Sequence, residues 1–188
     1  MKRQYMNKYA LTAIGLFFAA AMAMGLQQAV AAEEKAQDSG QIQELLQKAK
    51  VESALLELDS HHLVAFQRSR LSWESHAGQL ELIKEHVNKV GELEEQLRDA
   101  RDSGTSWQQE AIDRVNPLLK ELADNLETTI NHLNDHKSAL FASPYPQYVT
   151  TNAELATELH EMISEFVEYG KTKQTFQELQ QRLELNKS

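Results

Sequence analysis

The fold is decided by residues 106–133, SWQQEAIDRVNPLLKELADNLETTINHL. Apolar residues recur there at steps of three and four, as they do along one face of an α-helix, and polar residues fill most of the other positions. A helix with one apolar face needs other helices to cover that face. The stretch therefore predicts one member of a helical bundle, which we name segment C and expect to run from Ser106 to about residue 142.

Three further segments repeat this pattern. Segment A covers residues 41–70, segment B covers residues 73–102, and segment D opens at Thr151 and continues past Leu183. Helices of about 30 residues are each ~45 Å long, so the four segments match one another in length. Because short connections make neighbouring helices antiparallel, we predict an all-α, up-down-up-down four-helix bundle that forms one domain over residues 41–188.

The sequence signals for the connections between these segments differ in strength. Gly104, preceded by two arginines, predicts a helix end with the glycine as a left-handed cap. The loop after segment C is predicted by Ser143, Pro144, Tyr145 and Pro146, because a helix usually ends before a proline. Within segment C, Pro117 predicts a kink or a restart of the helix, since proline lacks the N–H that an interior position donates.

The joint between segments A and B is the weakest of the three. Neither Gly nor Pro occurs there, and only Ser69, Ser72 and Ser75 indicate a turn. Apolar residues keep a seven-residue spacing across the joint: Phe66, Trp73, Leu80 and Val87. The alternative is therefore a fold in which A and B form one long helix, giving a three-helix, coiled-coil-like arrangement.

The first 31 residues have the pattern of an export signal. A basic start leads into an apolar run at 10–26, and the small-residue triplet Ala29, Val30 and Ala31 follows. We expect cleavage before Ala32 and a flexible lead-in at 32–40. The alternative is an uncleaved anchor, although 17 apolar residues are fewer than the ~20 that span a bilayer. The protein is expected to be exported, to the periplasm of a Gram-negative cell or otherwise outside the cell, with no membrane insertion after cleavage.

Composition excludes several functional classes. The chain has no cysteine, which excludes disulfides, thiolate nucleophiles, zinc-thiolate sites and covalently bound c-type haem. Residues 32–188 hold 16 Lys and Arg against 28 Asp and Glu, a formal net charge of −12. A field of this sign repels phosphate backbones and anionic lipids, so nucleic acid is not an expected partner.

The histidines carry the one prediction of a chemical site. If B and C fold back about Gly104, and C and D fold back near Pro146, four histidines lie close together at one end of the bundle. They are His76, His132, His136 and His160. Neutral imidazoles from three helices bind Zn or Cu, so these residues are the candidate metal ligands. The alternative is that they are separate, solvated surface histidines.

Sequence signatures of catalysis are missing. His160 and Glu161 begin a sequence like the HExxH of zinc proteases, but position 164 is serine, and no G-x-S-x-G elbow occurs. We therefore predict a non-enzymatic protein without a required cofactor.

Two tyrosines near the loop after segment C are the candidate residues for binding a partner. Tyr145 lies between two prolines, and Tyr148 follows closely. A stiff loop presents an aromatic side chain at low entropic cost, although aromatics at helix ends also close a core against water. The predicted function is protein–protein interaction or coiled-coil self-association. The alternative is histidine-based binding or buffering of a transition metal.

Overall fold

The computed structural model describes residues 38–185, and all regular secondary structure in this range is helical. Helix α1 covers Gly40–Arg68, α2 covers Trp73–Ala100, α3 covers Ser106–Asp135 and α4 covers Tyr145–Leu185, with a short 3-10 helix at Arg101–Ser103. The prediction of an all-α protein whose four helices pack together is confirmed. The predicted signal at 1–31 lies outside the described residues.

Each helix packs against two neighbours: α1 and α3 both contact α2 and α4. Neighbours are antiparallel, because contacts that move forward along α1 move backward along α4. The pairs are Asp38 with Lys173, Lys50 with Glu168, and His61 with Thr157. Apart from Tyr145, the largest fully buried side chains of the core are aliphatic, and they include Ile42, Leu56, Ile83, Leu97, Ile112, Leu122, Leu159 and Ile163.

Helices α1 and α2 are separated by a turn, so the alternative of one fused helix is wrong. Arg70 adopts a left-handed conformation with φ of 54°, and Leu71 N donates to Phe66 O at 3.1 Å. Ser72 then caps α2 by accepting a hydrogen bond from Ser75 N. A non-glycine residue therefore supplies the positive φ that reverses the chain.

Gly104 has a different role from the one predicted. Its φ is −87°, outside the left-handed region. A Cβ at this position would come within 2.8 Å of Ile42 Cδ1 and 3.2 Å of Arg101 O. The glycine is therefore needed because α1 and the turn approach each other closely.

Pro117 does not interrupt α3, which continues from Ser106 to Asp135. The predicted restart is therefore wrong. Buried residues on both sides of the proline, Val115 and Leu119, pack in the same core. Their burial offsets the single hydrogen bond that the proline cannot donate.

The connection between α3 and α4 lies earlier than the sequence predicts. Helix α3 ends at Asp135 instead of near residue 142, and α4 begins at Tyr145 instead of Thr151. Pro146 occupies the first turn of α4, where a helix does not use its backbone N–H, so proline is tolerated there. The chain therefore reverses near residue 140, about six residues before the predicted position.

Among residues 38–185, no helix is both long and apolar enough to cross a membrane.

Two glycine substitutions are expected to have opposite effects on stability. A Cβ on Gly170 would lie 2.8 Å from the Trp107 ring, whereas a Cβ on Gly91, inside α2, meets nothing within 4 Å. We expect Gly170→Ala to destabilise the fold by about 1–3 kcal/mol through overpacking. We expect Gly91→Ala to stabilise it by about 0.5–1 kcal/mol, because alanine loses less backbone entropy on folding. Urea unfolding followed by circular dichroism measures both, and equal effects would contradict the close packing at Gly170.

Candidate functional site

Three of the four candidate histidines lie in one cluster with Tyr145, at the end of the bundle that holds the α1–α2 turn. His76 Nδ1 lies 2.9 Å from the Tyr145 hydroxyl. The His132 ring stacks on His136 at 4.5 Å and on Tyr145 at 5.8 Å between centroids. The cluster therefore joins α2, the end of α3 and the first residue of α4.

His76 is fully buried in this cluster. Burial lowers its pKa, and the backbone of Phe66 opposes this effect only in part. Its Nε2 atom, like Nε2 of His132, has no hydrogen-bond partner within residues 38–185. The imidazole of His76 is therefore best accommodated in its neutral form.

His160 lies in a different part of the bundle. Its Nδ1 is 3.1 Å from Ser53 Oγ in the middle of α1, and its Nε2 is 3.4 Å from Ser164 Oγ. The reversal near residue 140 places position 148, not 160, opposite His132, as the contact between the rings of Tyr148 and His132 confirms. A displacement of twelve residues along a helix is ~18 Å.

The four predicted metal ligands therefore do not converge. Within residues 38–185, no group of three or more His, Cys, Asp or Glu side chains is placed to hold a metal ion. The candidate site predicted from His76, His132, His136 and His160 is thus divided between two places by the register of α4.

Tyr145 and Tyr148 do not form the exposed docking loop that was predicted. Tyr145 is fully buried, and burial raises its pKa. Tyr148 is partly buried, and its backbone oxygen accepts a hydrogen bond from Asn125 Nδ2 at 3.0 Å. Both residues close the bundle, because α4 begins at Tyr145 and so turns this segment inward.

The arrangement of Ser53 and His160 resembles part of a hydrolase site but lacks the access that a nucleophile needs. Ser53 is fully buried in the middle of α1, and its hydroxyl donates to Lys50 O at 3.1 Å. The Ser53 hydroxyl proton is therefore directed to the backbone of α1. The pair stabilises the contact between α1 and α4 and gives no catalytic dyad.

A polar cluster that the sequence analysis missed joins α1 to α2. His86 lies between two carboxylates, with Nδ1 2.9 Å from Glu52 and Nε2 3.4 Å from Asp59. Gln79 Nε2 donates to both the backbone and the side chain of Asp59 at 3.0 Å. In an antiparallel pair of helices, residues separated from the turn by the same number of positions lie at the same level. The cluster could therefore be predicted from the sequence once the position of the α1–α2 turn is known.

A group of exposed apolar residues lies near the C-terminal end of α4. This helix has 41 residues, whereas α1, α2 and α3 have 29, 28 and 30. In the described part of the chain, all polar contacts of residues 175–184 are within α4 itself. We name residues 174–185 the overhang. Together with the turn before it, the overhang carries four large apolar residues that are 48–63% exposed: Tyr169, Phe176, Leu179 and Leu183. We name these four residues the apolar stripe.

The base of the overhang is fixed by one buried carboxylate. Asp38 Oδ1 accepts from Thr105 Oγ1 at 2.8 Å, from Trp107 Nε1 at 2.9 Å and from Lys173 Nζ at 2.7 Å. The Trp107 ring also packs edge-on against Tyr169 at 5.2 Å. The start of α1, the α2–α3 turn and α4 are therefore joined where the overhang begins.

Burial of His76 predicts a pH-dependent stability. Because its pKa is lowered in the folded state, the unfolded chain binds a proton near pH 6.5 that the folded chain does not bind. The contribution of His76 to the free energy of unfolding should therefore be constant above this pH and fall below it, by at most ~1.4 kcal/mol per pH unit for one proton. We expect His76→Gln to remove this pH dependence of the free energy of unfolding. His62→Gln, at an exposed position, should retain it. Urea unfolding between pH 5 and 8 measures the difference, and identical profiles would contradict a neutral His76.

Loss of the Asp38 carboxylate should weaken the end of the bundle. Asp38→Ala leaves Lys173 and two other donors without their acceptor, which is expected to cost about 2–4 kcal/mol. Glu44→Ala is the control, because Glu44 forms an exposed ion pair within α1 and its loss should not change the melting temperature. Thermal unfolding compares the two, and equal melting temperatures would show that the Asp38 contacts contribute nothing.

Comparison of the chain with known proteins finds no matching family model, no matching curated protein and no matching solved structure.

Proposed function

We propose that this is an exported, non-enzymatic bundle protein that acts by binding another protein chain along the apolar stripe of α4. The observation that carries the proposal is the exposure of Phe176, Leu179 and Leu183 on a helix that continues beyond its own bundle. Export is supported by the basic, apolar and small-residue pattern of residues 1–31. The expected location is the periplasm in a Gram-negative cell, or otherwise the outside of the cell.

Burial against a partner would stabilise the overhang. Complete burial of a Leu or Phe side chain contributes about 1.5–3 kcal/mol, and these residues are about half exposed in the single chain. A helical stretch of about twelve residues is marginal by itself in water. Contiguous exposed apolar residues on such a stretch are typical of a helix-binding surface.

A second group of exposed apolar residues lies on the outer face of α1. It consists of Val51, Leu55 and Leu58, which are 40–53% exposed. Residues 44–59 around it carry four acids and two lysines, whereas residues 171–185 carry two acids and three basic residues. Helix α1 also packs against two helices along its length. The overhang is therefore the better candidate, since residues 175–184 make no polar contact with another helix within residues 38–185 and the charge of residues 171–185 does not repel acidic partners.

Site-specific photo-crosslinking tests this function in the cells that produce the protein. A photoreactive phenylalanine analogue at position 176 should give a crosslinked species, because the ring lies within the proposed interface. The same analogue at position 82 is the control, since Leu82 is 45% exposed on α2 and lies outside the stripe. Crosslinking at position 176 and not at 82 supports the proposal. An absence of crosslinked product at 176, or equal products at both positions, overturns it.

A further inference from the structure

We infer that the partner of the apolar stripe is a second copy of this chain, whose overhang packs against the first in antiparallel orientation. This inference rests on the proposed function and specifies the partner. The stripe follows a heptad pattern, with Tyr169, Phe176 and Leu183 seven residues apart and Leu179 three residues after Phe176. Such a pattern is typical of the contact line between two helices of a coiled coil.

The apolar stripes of two copies are complementary when the two overhangs run in opposite directions. In an antiparallel coiled coil, a residue at heptad position a packs against a residue at position d of the other helix. Here Phe176 and Leu183 are at position a, and Thr172 and Leu179 are at position d. Phe176 of each copy then lies opposite Leu179 of the other, and Leu183 lies opposite Thr172. The large Leu183 near the end of one overhang thus meets the smaller Thr172 near the start of the other. The two copies are related by a two-fold axis that passes between residues 177 and 178.

The position of α3 favours this orientation over a parallel one. Trp107, near the start of α3, packs on Tyr169 of the stripe and against Gly170. In a parallel pair, the α3 helices of both copies would lie between the two α4 helices. Packed helices have axes about 8–10 Å apart, which leaves no room for that arrangement. An antiparallel pair places the two bundles at opposite ends and avoids this clash.

Charge also favours contact between two overhangs. Residues 38–170 hold 11 basic and 24 acidic residues, a net charge of −13, so the bundles of two copies repel each other. Residues 171–185 have a net charge of +1. In the antiparallel register, Lys173 flanks Gln180 of the other copy and Arg182 flanks Thr175. Neither contact places like charges together.

The lead-in of the same chain is not suited to cover the stripe. Residues 32–37 read AEEKAQ and contain no large apolar side chain. A second copy supplies Phe176, Leu179 and Leu183 in the required spacing.

Sedimentation equilibrium of the exported protein tests the pairing. We expect a concentration-dependent dimer, and we expect the double variant F176S/L179S to raise its dissociation constant at least tenfold. The matched control is L55S/L58S, which removes two exposed leucines from α1 and should leave the dimer intact. Circular dichroism verifies that each variant is folded. A monomeric parent protein, or a dimer that only L55S/L58S dissociates, overturns the inference.

Disulfide trapping tests the orientation, because the chain has no cysteine of its own. Thr172→Cys and Leu183→Cys are made separately and mixed under mild oxidation. The antiparallel pair predicts a disulfide between one T172C chain and one L183C chain. A disulfide that forms in L183C alone indicates a parallel pair and overturns the antiparallel register.

Different outcomes overturn the proposed function and the pairing of two copies. A crosslinked species at position 176 with twice the mass of the chain supports both. A species that contains a different protein, together with a monomeric parent, supports the proposed function and overturns the pairing of two copies. No crosslink at position 176 overturns the proposed function, and the inference falls with it.

Discussion

Tyr145 sets the position of α4 along the bundle axis, and most features of the structure depend on that position. Its hydroxyl bonds to His76 of α2 and its ring stacks on His132 of α3, so the first residue of α4 is fixed against two other helices. A helix rises 1.5 Å per residue, and fixing one end therefore fixes the height of every later residue. Lys173, 28 residues further on, lies ~42 Å away at the level of Asp38, where α1 begins. Within residues 38–185, α1 begins and the α2–α3 turn lies near that level, and α4 continues beyond it to Leu185.

The other end of the bundle is closed by a polar network around Asp38 together with the packing of Trp107 on Tyr169. The Asp38 carboxylate is almost buried and accepts three hydrogen bonds, one of them from a cation. Burying a carboxylate is costly unless its partners are in place. Because these partners come from the α2–α3 turn, α3 and α4, the bonds form together only when all the helices have packed. The same contacts hold Trp107 against Gly170, which sets the direction in which the overhang leaves the bundle.

The elements of the fold could be predicted from the sequence because burial follows the helical period. The apolar residues of segment C, such as Val115, Leu122 and Leu126, are buried as their spacing predicts. The connections could not be predicted as well, because their signals are ambiguous. Pro146 ends a helix in most contexts but also fits the first turn of a new one, and that single choice displaced His160 from the predicted site. Likewise, no local signal shows that Arg70 adopts a left-handed conformation, since only the packing of α1 on α2 requires it.

The exposure of the apolar stripe is significant because of its surroundings. Single exposed apolar residues are common on soluble proteins and require no explanation, and Leu82 is one of them. The stripe differs because its members share one helix face, recur at the coiled-coil period and lie where the protein's acidic charge is interrupted. An acidic surface prevents association wherever it is continuous. The proposed association is therefore favoured at the overhang, both by the acidic charge of the other surfaces and by the apolar residues of the overhang itself.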